Sequence, residues 1–172
     1  MENSKNPQIK LRAMEPEDLE FMYGVENDDR LWNVGVTNVP YSRSMLLDYI
    51  TSATGDIFAD KQVRLMIDNE VGETIGMVDL MDFSPIHHRA ELGLVIRKEY
   101  RGRGYASAVL DKIVDYGRKV IHLHQIYAIV PEHNEKCIKV LELSDFQKTT
   151  RLNAWLFDGK KYSDAIFFQK FL

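Results

Sequence analysis

A chain of 172 residues, 45% apolar and 28% charged, reads as one globular domain spanning 1–172, large enough to bury a core without staples. Its net charge of −4 argues against nucleic acid as a partner, and its single cysteine, Cys137, excludes an internal disulfide and a cysteine zinc cage. No apolar run reaches membrane-spanning length and the first residues lack the apolar core of a secretion signal, so the expected setting is cytoplasmic, with no membrane partner.

In chain order, Ile9-Lys10-Leu11-Arg12 alternates as a first strand. Pro16 opens a helix that places Leu19, Met22 and Val25 on one face. A second helix begins after Ser42, whose hydroxyl suits an N-cap, and carries Met45, Leu46, Tyr49, Ile50 and Ala53. Residues 32–40 form the loop between these helices. Val63, Leu65 and Ile67 alternate, Asp68-Asn69-Glu70 turns the chain, and residues 74–81 return as the antiparallel partner. Residues 89–97 form a third long strand. A helix over 104–120 follows, with Ala106, Val109, Leu110, Ile113, Val114 and Gly117 on one face. Residues 125–130 read as a buried strand, and Cys137, Ile138, Val140, Leu141 and Ser144 fall at helical spacing in a short helix. Two last strands meet at Asp158-Gly159, a strong hairpin signal. The order β-α-α-β-β-β-α-β-α-β-β predicts an α/β fold: a mixed sheet with helices on both faces. The helical crossover makes the strands on either side of it parallel neighbours.

The most informative segment is Arg101-Gly102-Arg103-Gly104-Tyr105-Ala106, between the strand ending Leu92-Gly93-Leu94-Val95-Ile96 and the amphipathic helix. The first N–H groups of a helix lack partners and carry the positive end of its dipole, and glycines let a ligand come close to them. Arg101 and Arg103 add charge. The ligand this predicts is a phosphate or pyrophosphate, hence a nucleotide or coenzyme. A P-loop needs Lys-Ser or Lys-Thr after its last glycine, whereas Tyr105-Ala106 stands here. A dinucleotide fingerprint needs a third glycine where this chain has Ser107.

The spacing Arg-x-x-Gly-x-Ala instead resembles the coenzyme A pyrophosphate loop of the GNAT superfamily of N-acetyltransferases. The resemblance covers nearly the whole chain. It is nearest to the spermidine N-acetyltransferases and the ribosomal-protein N-terminal acetyltransferases, through Leu123-His124-Gln125-Ile126-Tyr127, Ala90-Glu91 and Asn134. It implies the GNAT-type acyl-CoA N-acyltransferase fold and transfer of an acetyl group from acetyl-CoA to a primary amine, either a polyamine such as spermidine or a protein N-terminal amine. It implies that the backbone of Leu94, Val95 and Ile96 meets the pantetheine arm. By the same resemblance Arg101, Gly102, Arg103, Gly104, Tyr105 and Ala106 hold the pyrophosphate, Asn134 bonds the arm, and Cys137 and Leu141 lie near its sulfur. Glu91 resembles the family's acidic residue that acts as base through water, and a backbone N–H near Leu94 is the implied oxyanion donor. The loop that lines the acceptor pocket in the family carries Trp32 and Tyr41 here.

Three departures stand out. Many members place a tyrosine where this chain has Leu141, and relatives usually have glycine where Asp145 precedes Phe146; either residue can end a helix in the left-handed conformation. Polyamine enzymes carry acids immediately before a Pro-Tyr pair, whereas Asn38-Val39 precede Pro40-Tyr41. Because leucine cannot donate a proton, a non-catalytic acetyl-CoA-binding module is the alternative reading, and a dinucleotide-binding oxidoreductase a remote one. His87, His88, His122, His124 and His133 lack metal-ligand spacing, so no metal is predicted, and His124 suits a helix end. The fold is compatible with a homo-oligomer.

Overall fold

A computed structural model describes residues 7–28 and 39–172. The alternating segments pair into one seven-stranded sheet. Its strands are β1 (Lys10–Arg12), β2 (Val63–Asp68), β3 (Thr74–Ser84), β4 (Arg89–Ile96), β5 (Gln125–Pro131), β6 (Gln147–Phe157) and β7 (Tyr162–Phe171), in the spatial order β1-β2-β3-β4-β5-β7-β6. Only β4 and β5 run parallel, as the helical crossover between them requires. The helices are α1 (Leu19–Glu26), α2 (Arg43–Ser52), α3 (Ile57–Asp60), α4 (Tyr105–Tyr116) and α5 (Glu135–Leu143).

Local chemistry sets several boundaries. Pro16 begins a short 3-10 turn, Pro16–Asp18, which leads into α1. Ser42 caps α2 by accepting the Met45 N–H at 3.1 Å. The periodicity gives no sign of α3, because its four residues are too few to repeat; Asp56 caps it by accepting the Phe58 N–H. The helix predicted to reach residue 120 is α-helical to Tyr116 and then widens into a π turn, Gly117–Ile121. There a Cβ on Gly117 would stand 3.2 Å from side-chain atoms of Ile126 and Leu172. His122, in the left-handed conformation, ends this segment. His124, expected at a helix end, instead precedes β5, with its N–H on the His88 carbonyl and its ring against Phe171. Asp158 closes the final hairpin by accepting the N–H groups of Lys160 and Lys161.

The two faces of the sheet are covered unequally. One face carries the main core, where Val78, Leu80, Ala90, Ile96, Ile126 and Phe168 meet Val109, Leu110 and Ile113 of α4 and Leu141 of α5. On the other face Met66 and Met77 pack with Met22 of α1 and Leu46 and Ile50 of α2. That second cluster lies over β2 and β3, and among the described residues no helix covers the β4–β5–β7 portion of its face.

Candidate active site

β4 pairs with β3 along most of its length, from Arg89 to Ile96, but with β5 only over Arg89, Ala90 and Glu91. Beyond Glu91 and Tyr127 the two parallel strands part, and β5 continues against β7 alone. The Arg97 N–H bonds the Ile75 carbonyl at 2.8 Å. By the alternation of an antiparallel ladder, the N–H and C=O groups of Leu94 and Ile96 then point away from β3 and toward the gap, while Val95 faces back to Met77. The strand edge in the gap is therefore open to a second extended chain. Arg101 folds back and donates its Nε–H to the Ile96 carbonyl at 2.7 Å, which ties the following loop to the end of this edge.

That loop delivers the start of α4. Gly102 and Gly104 have φ of 74° and 83°, left-handed values that disfavour a side chain. Gly104 is the N-cap, and the first helical N–H to find a carbonyl is that of Ala108, on Gly104 O. The N–H groups before it have no carbonyl within the helix, an arrangement that can receive an anion. Arg103 lies over the ring of Tyr100, with the guanidinium carbon 5.7 Å from its centroid, and Tyr105 donates its hydroxyl to Glu70.

On the open face beside the gap lies a cleft of about 680 Å³, lined by Asp82, Arg89, Glu91, Gln125, Tyr127, Ile129, Trp155, Leu156, Phe167 and Gln169. Glu91 stands on its last fully paired rung, opposite Met81 on one side and Tyr127 on the other. Burial, followed by the negative charge of Asp82, pushes the Glu91 carboxyl above the ordinary range for glutamate. Tyr127 stacks on Phe167 with ring centroids 5.3 Å apart and donates its hydroxyl to Asp82 at 3.3 Å. Burial, with Glu91 and Asp82 nearby, holds its phenol up at about 12, so it is a neutral donor near neutral pH.

The sequence-predicted residues fall into three groups. Leu94, Ile96, Arg101, Gly102, Arg103, Gly104, Tyr105 and Ala106 border one continuous path from the gap to the α4 start. Asn134 caps α5, its Oδ1 accepting the Cys137 N–H at 3.2 Å; Cys137 is half-buried, which pushes its thiol pKa up, and Leu141 is buried in the main core. Tyr41 packs against the second core, pinned by Asn27, which accepts its N–H and donates to its carbonyl. Trp32 lies outside the described residues. Composition and spacing missed Asp82, Arg89, Phe167 and Trp155 as cleft residues. The alternation Gln125, Tyr127, Ile129 was a usable signal for one face of β5; nothing in the sequence marks Asp82. Among the described residues no group of His, Cys, Asp or Glu side chains is arranged to hold a metal, and no helix is long and apolar enough to cross a membrane.

Comparison with known proteins agrees with this geometry. Residues 8–147 match the family model described as an acetyltransferase (GNAT) domain. Spermidine N(1)-acetyltransferase of Escherichia coli K12 is 29% identical over 158 residues, covering 92% of this chain and 83% of its own. A crystal structure of spermidine N-acetyltransferase from Vibrio cholerae, in complex with CoA and spermine, superposes with a TM-score of 0.84 at 26% identity, over 95% of both chains. A dodecameric structure of the Vibrio cholerae enzyme gives 0.78 at 26% identity, over 95% of this chain and 94% of that one. A parted pair of parallel strands, a glycine cradle opening α4 and an acidic cleft beside them thus meet in a chain that belongs to the GNAT acetyltransferase family and carries out acetyl-CoA-dependent acetylation of an amine.

Proposed function

We propose that the acceptor is a polyamine such as spermidine, and that its reacting primary amine enters the cleft and meets the thioester where β4 and β5 part. The observation that carries this is the position of Glu91: a partly desolvated carboxylate at the mouth of the gap, with a second carboxylate beside it. The spermidine N-acetyltransferases above support the choice of acceptor. Acetyl-CoA supplies the activated acetyl group. The N–H groups of residues 103–106 bind its pyrophosphate, the edge of Leu94 and Ile96 pairs with its pantetheine arm, and the amide nitrogen of Asn134 donates to that arm. Val95, Cys137 and Leu141 are placed around the arm through their side chains.

An aliphatic amine is mostly protonated near pH 7, so it must lose a proton before it attacks. Glu91, with its raised pKa, takes that proton through a water molecule. The Leu94 N–H donates to the oxygen that becomes negative as the amine adds. The departing thiolate is a stable anion, so the lack of a phenol at Leu141 slows the reaction without stopping it. The whole of residues 1–172 acts as one domain. The exposed apolar side chains of Trp155 and Phe157 on the edge strand β6, and of Tyr162 on its partner β7, suit a homo-oligomer, as in the dodecameric Vibrio cholerae structure.

The test is release of CoA thiol from acetyl-CoA with a panel of amines, alongside thermal shifts with acetyl-CoA present. Spermidine is expected to stabilise the acetyl-CoA complex and to be turned over. Turnover of a peptide α-amine with none of spermidine would replace the polyamine with a protein terminus. Binding of acetyl-CoA with no turnover of any amine would favour a coenzyme-binding module.

A further inference from the structure

The backbone at Asp82 is unusual. It adopts φ of 52°, a left-handed conformation that is costly for a residue with a Cβ, at an irregularity where the β3–β4 register shifts between Met81 and Ser84. The bulge turns the Asp82 carboxylate into the cleft, where it accepts the Tyr127 hydroxyl across the sheet and adds to the field at Glu91. A regular strand would alternate away from this position. Bulges that re-aim a side chain beside a reacting centre are recurrent devices, and this one brings a third strand to bear on the pair Glu91–Tyr127.

We propose that Asp82 is a specificity-determining residue of the acceptor site, bracketing the substrate ammonium together with Glu91 while the Tyr127 hydroxyl fixes its carboxylate in place. The proposal rests on the reading of Glu91 as the residue that meets the amine. The ligand chemistry it selects is a primary ammonium on an extended aliphatic or apolar body. Beyond the two acids the cleft wall is the Tyr127–Phe167 stack with Ile129, Leu156 and Trp155, against which methylene groups can lie. Besides Asp82 and Glu91, the charged and titratable groups facing the site are Arg89 on β4 and Tyr127 on β5. Arg89 lies on the rung before the acids, so it limits how far a polycation extends in that direction.

The experiment compares the parent with Asp82→Asn, Asp82→Glu, Glu91→Gln and Tyr127→Phe, all assayed by thiol release with spermidine across pH and titrated with acetyl-CoA by calorimetry. Asp82→Asn is expected to raise KM for spermidine about tenfold, the scale of a lost charged hydrogen bond. It is also expected to shift the acid limb of kcat to lower pH, because Glu91 loses a negative neighbour, and to leave acetyl-CoA affinity unchanged. Asp82→Glu should restore much of the KM. Unchanged KM and pH limb in Asp82→Asn, with Glu91→Gln impaired, overturns the role of Asp82 alone. Unchanged kinetics in both variants overturns the reading of Glu91 as well. If Asp82→Asn and Tyr127→Phe raise KM equally and neither moves the pH limb, Asp82 only shapes the cleft and the proposal fails. Should the parent turn over a peptide α-amine and not spermidine, the same comparison is made with that peptide; no turnover of either overturns the proposed acceptor site.

Discussion

At the scale of single residues, Glu91 carries two opposed demands. Its pKa is raised because folding buries it and sets it near Asp82. A carboxyl held more tightly protonated in the folded state adds stability below its unfolded pKa, and that stability is lost as pH rises through the folded value. The charged form near neutral pH therefore costs stability, and it is the form that the proposed mechanism uses as base. Glu91→Gln is expected to raise the melting temperature at neutral pH and to lower amine turnover by about 10²–10⁴, the usual range for a lost general base. It should also remove the rise of kcat with pH on the acid side. Scanning calorimetry at two pH values and thiol release check both halves. Leu141 poses the converse case. It is 3% exposed in the main core, so Leu141→Tyr must fit a larger ring and a hydroxyl where apolar atoms now pack. A destabilisation of about 1–3 kcal/mol is expected from the overpacking. Turnover should rise in the same variant if the phenol reaches the sulfur. Urea denaturation gives the first quantity and thiol release the second. A glutamate after Ala90 and a leucine in α5 are plain in the sequence. That Glu91 occupies the last rung before a gap, and that Asp82 swings in beside it, depends on strand register and a bulge that no periodicity records.

At the scale of elements, the glycine-rich start of α4 and the end of α5 show what local sequence can specify. Gly104 at φ 83° has a conformational reason to be glycine, and in the proposed coenzyme site a binding reason as well. Gly104→Val is expected to cost stability through its backbone and to abolish acetyl-CoA binding measured by calorimetry on the folded variant. Wild-type affinity would remove the cradle from the account. The end of α5 follows the expectation for Asp145. Its φ is 61°, its N–H bonds Glu142 O and the Phe146 N–H bonds Leu141 O, which is the Schellman arrangement. Lys170 also donates to the Ser144 carbonyl at 2.6 Å, while its contact with the exposed Asp145 is long, at 3.9 Å, and worth little. Asp145→Gly should therefore stabilise the protein, by about 1 kcal/mol, since glycine takes the left-handed conformation without a Cβ penalty. A rise in the denaturation midpoint with unchanged slope checks this. The strands, the two long helices and both caps were legible because each spans enough residues to repeat or ends on a residue with its own geometry. The short α3 and the π turn after Tyr116 were not, since one is below a repeat length and the other is imposed by Gly117 packing against Ile126 and Leu172.

At the scale of the molecule, the described helices cover the two faces of one sheet unevenly, and the candidate site lies on the side they cover less. Among the described residues α4 and α5 cover one face, α1 and α2 cover only the β2–β3 side of the other, and the parallel pair parts next to the region they leave uncovered. The bridge Arg64–Asp79, 2.7 Å, and the bridge Arg64–Glu26, 2.5 Å, tie α1 to the sheet at the border of that cover. The order of elements along the chain and the parallel crossover were legible in the sequence, but the placing of β7 between β5 and β6 and the uncovered region were not, because they depend on which strand pairs with which and which helix lies over them. The proposed polyamine acceptor is also tested at this scale. Asn38-Val39 stand before Pro40-Tyr41, where the polyamine enzymes that this chain resembles carry acids; in the proposed mechanism selection then rests on Asp82 and Glu91, and a high KM for spermidine is expected. The measurement that bears most directly on the account is mass-spectrometric identification of products after incubating the protein with acetyl-CoA and spermidine, beside Glu91→Gln. Monoacetylated spermidine in amounts equal to the CoA released, and much reduced in the variant, is the predicted result. CoA released without any acetylated amine, or acetylated spermidine formed equally by both proteins, would contradict it.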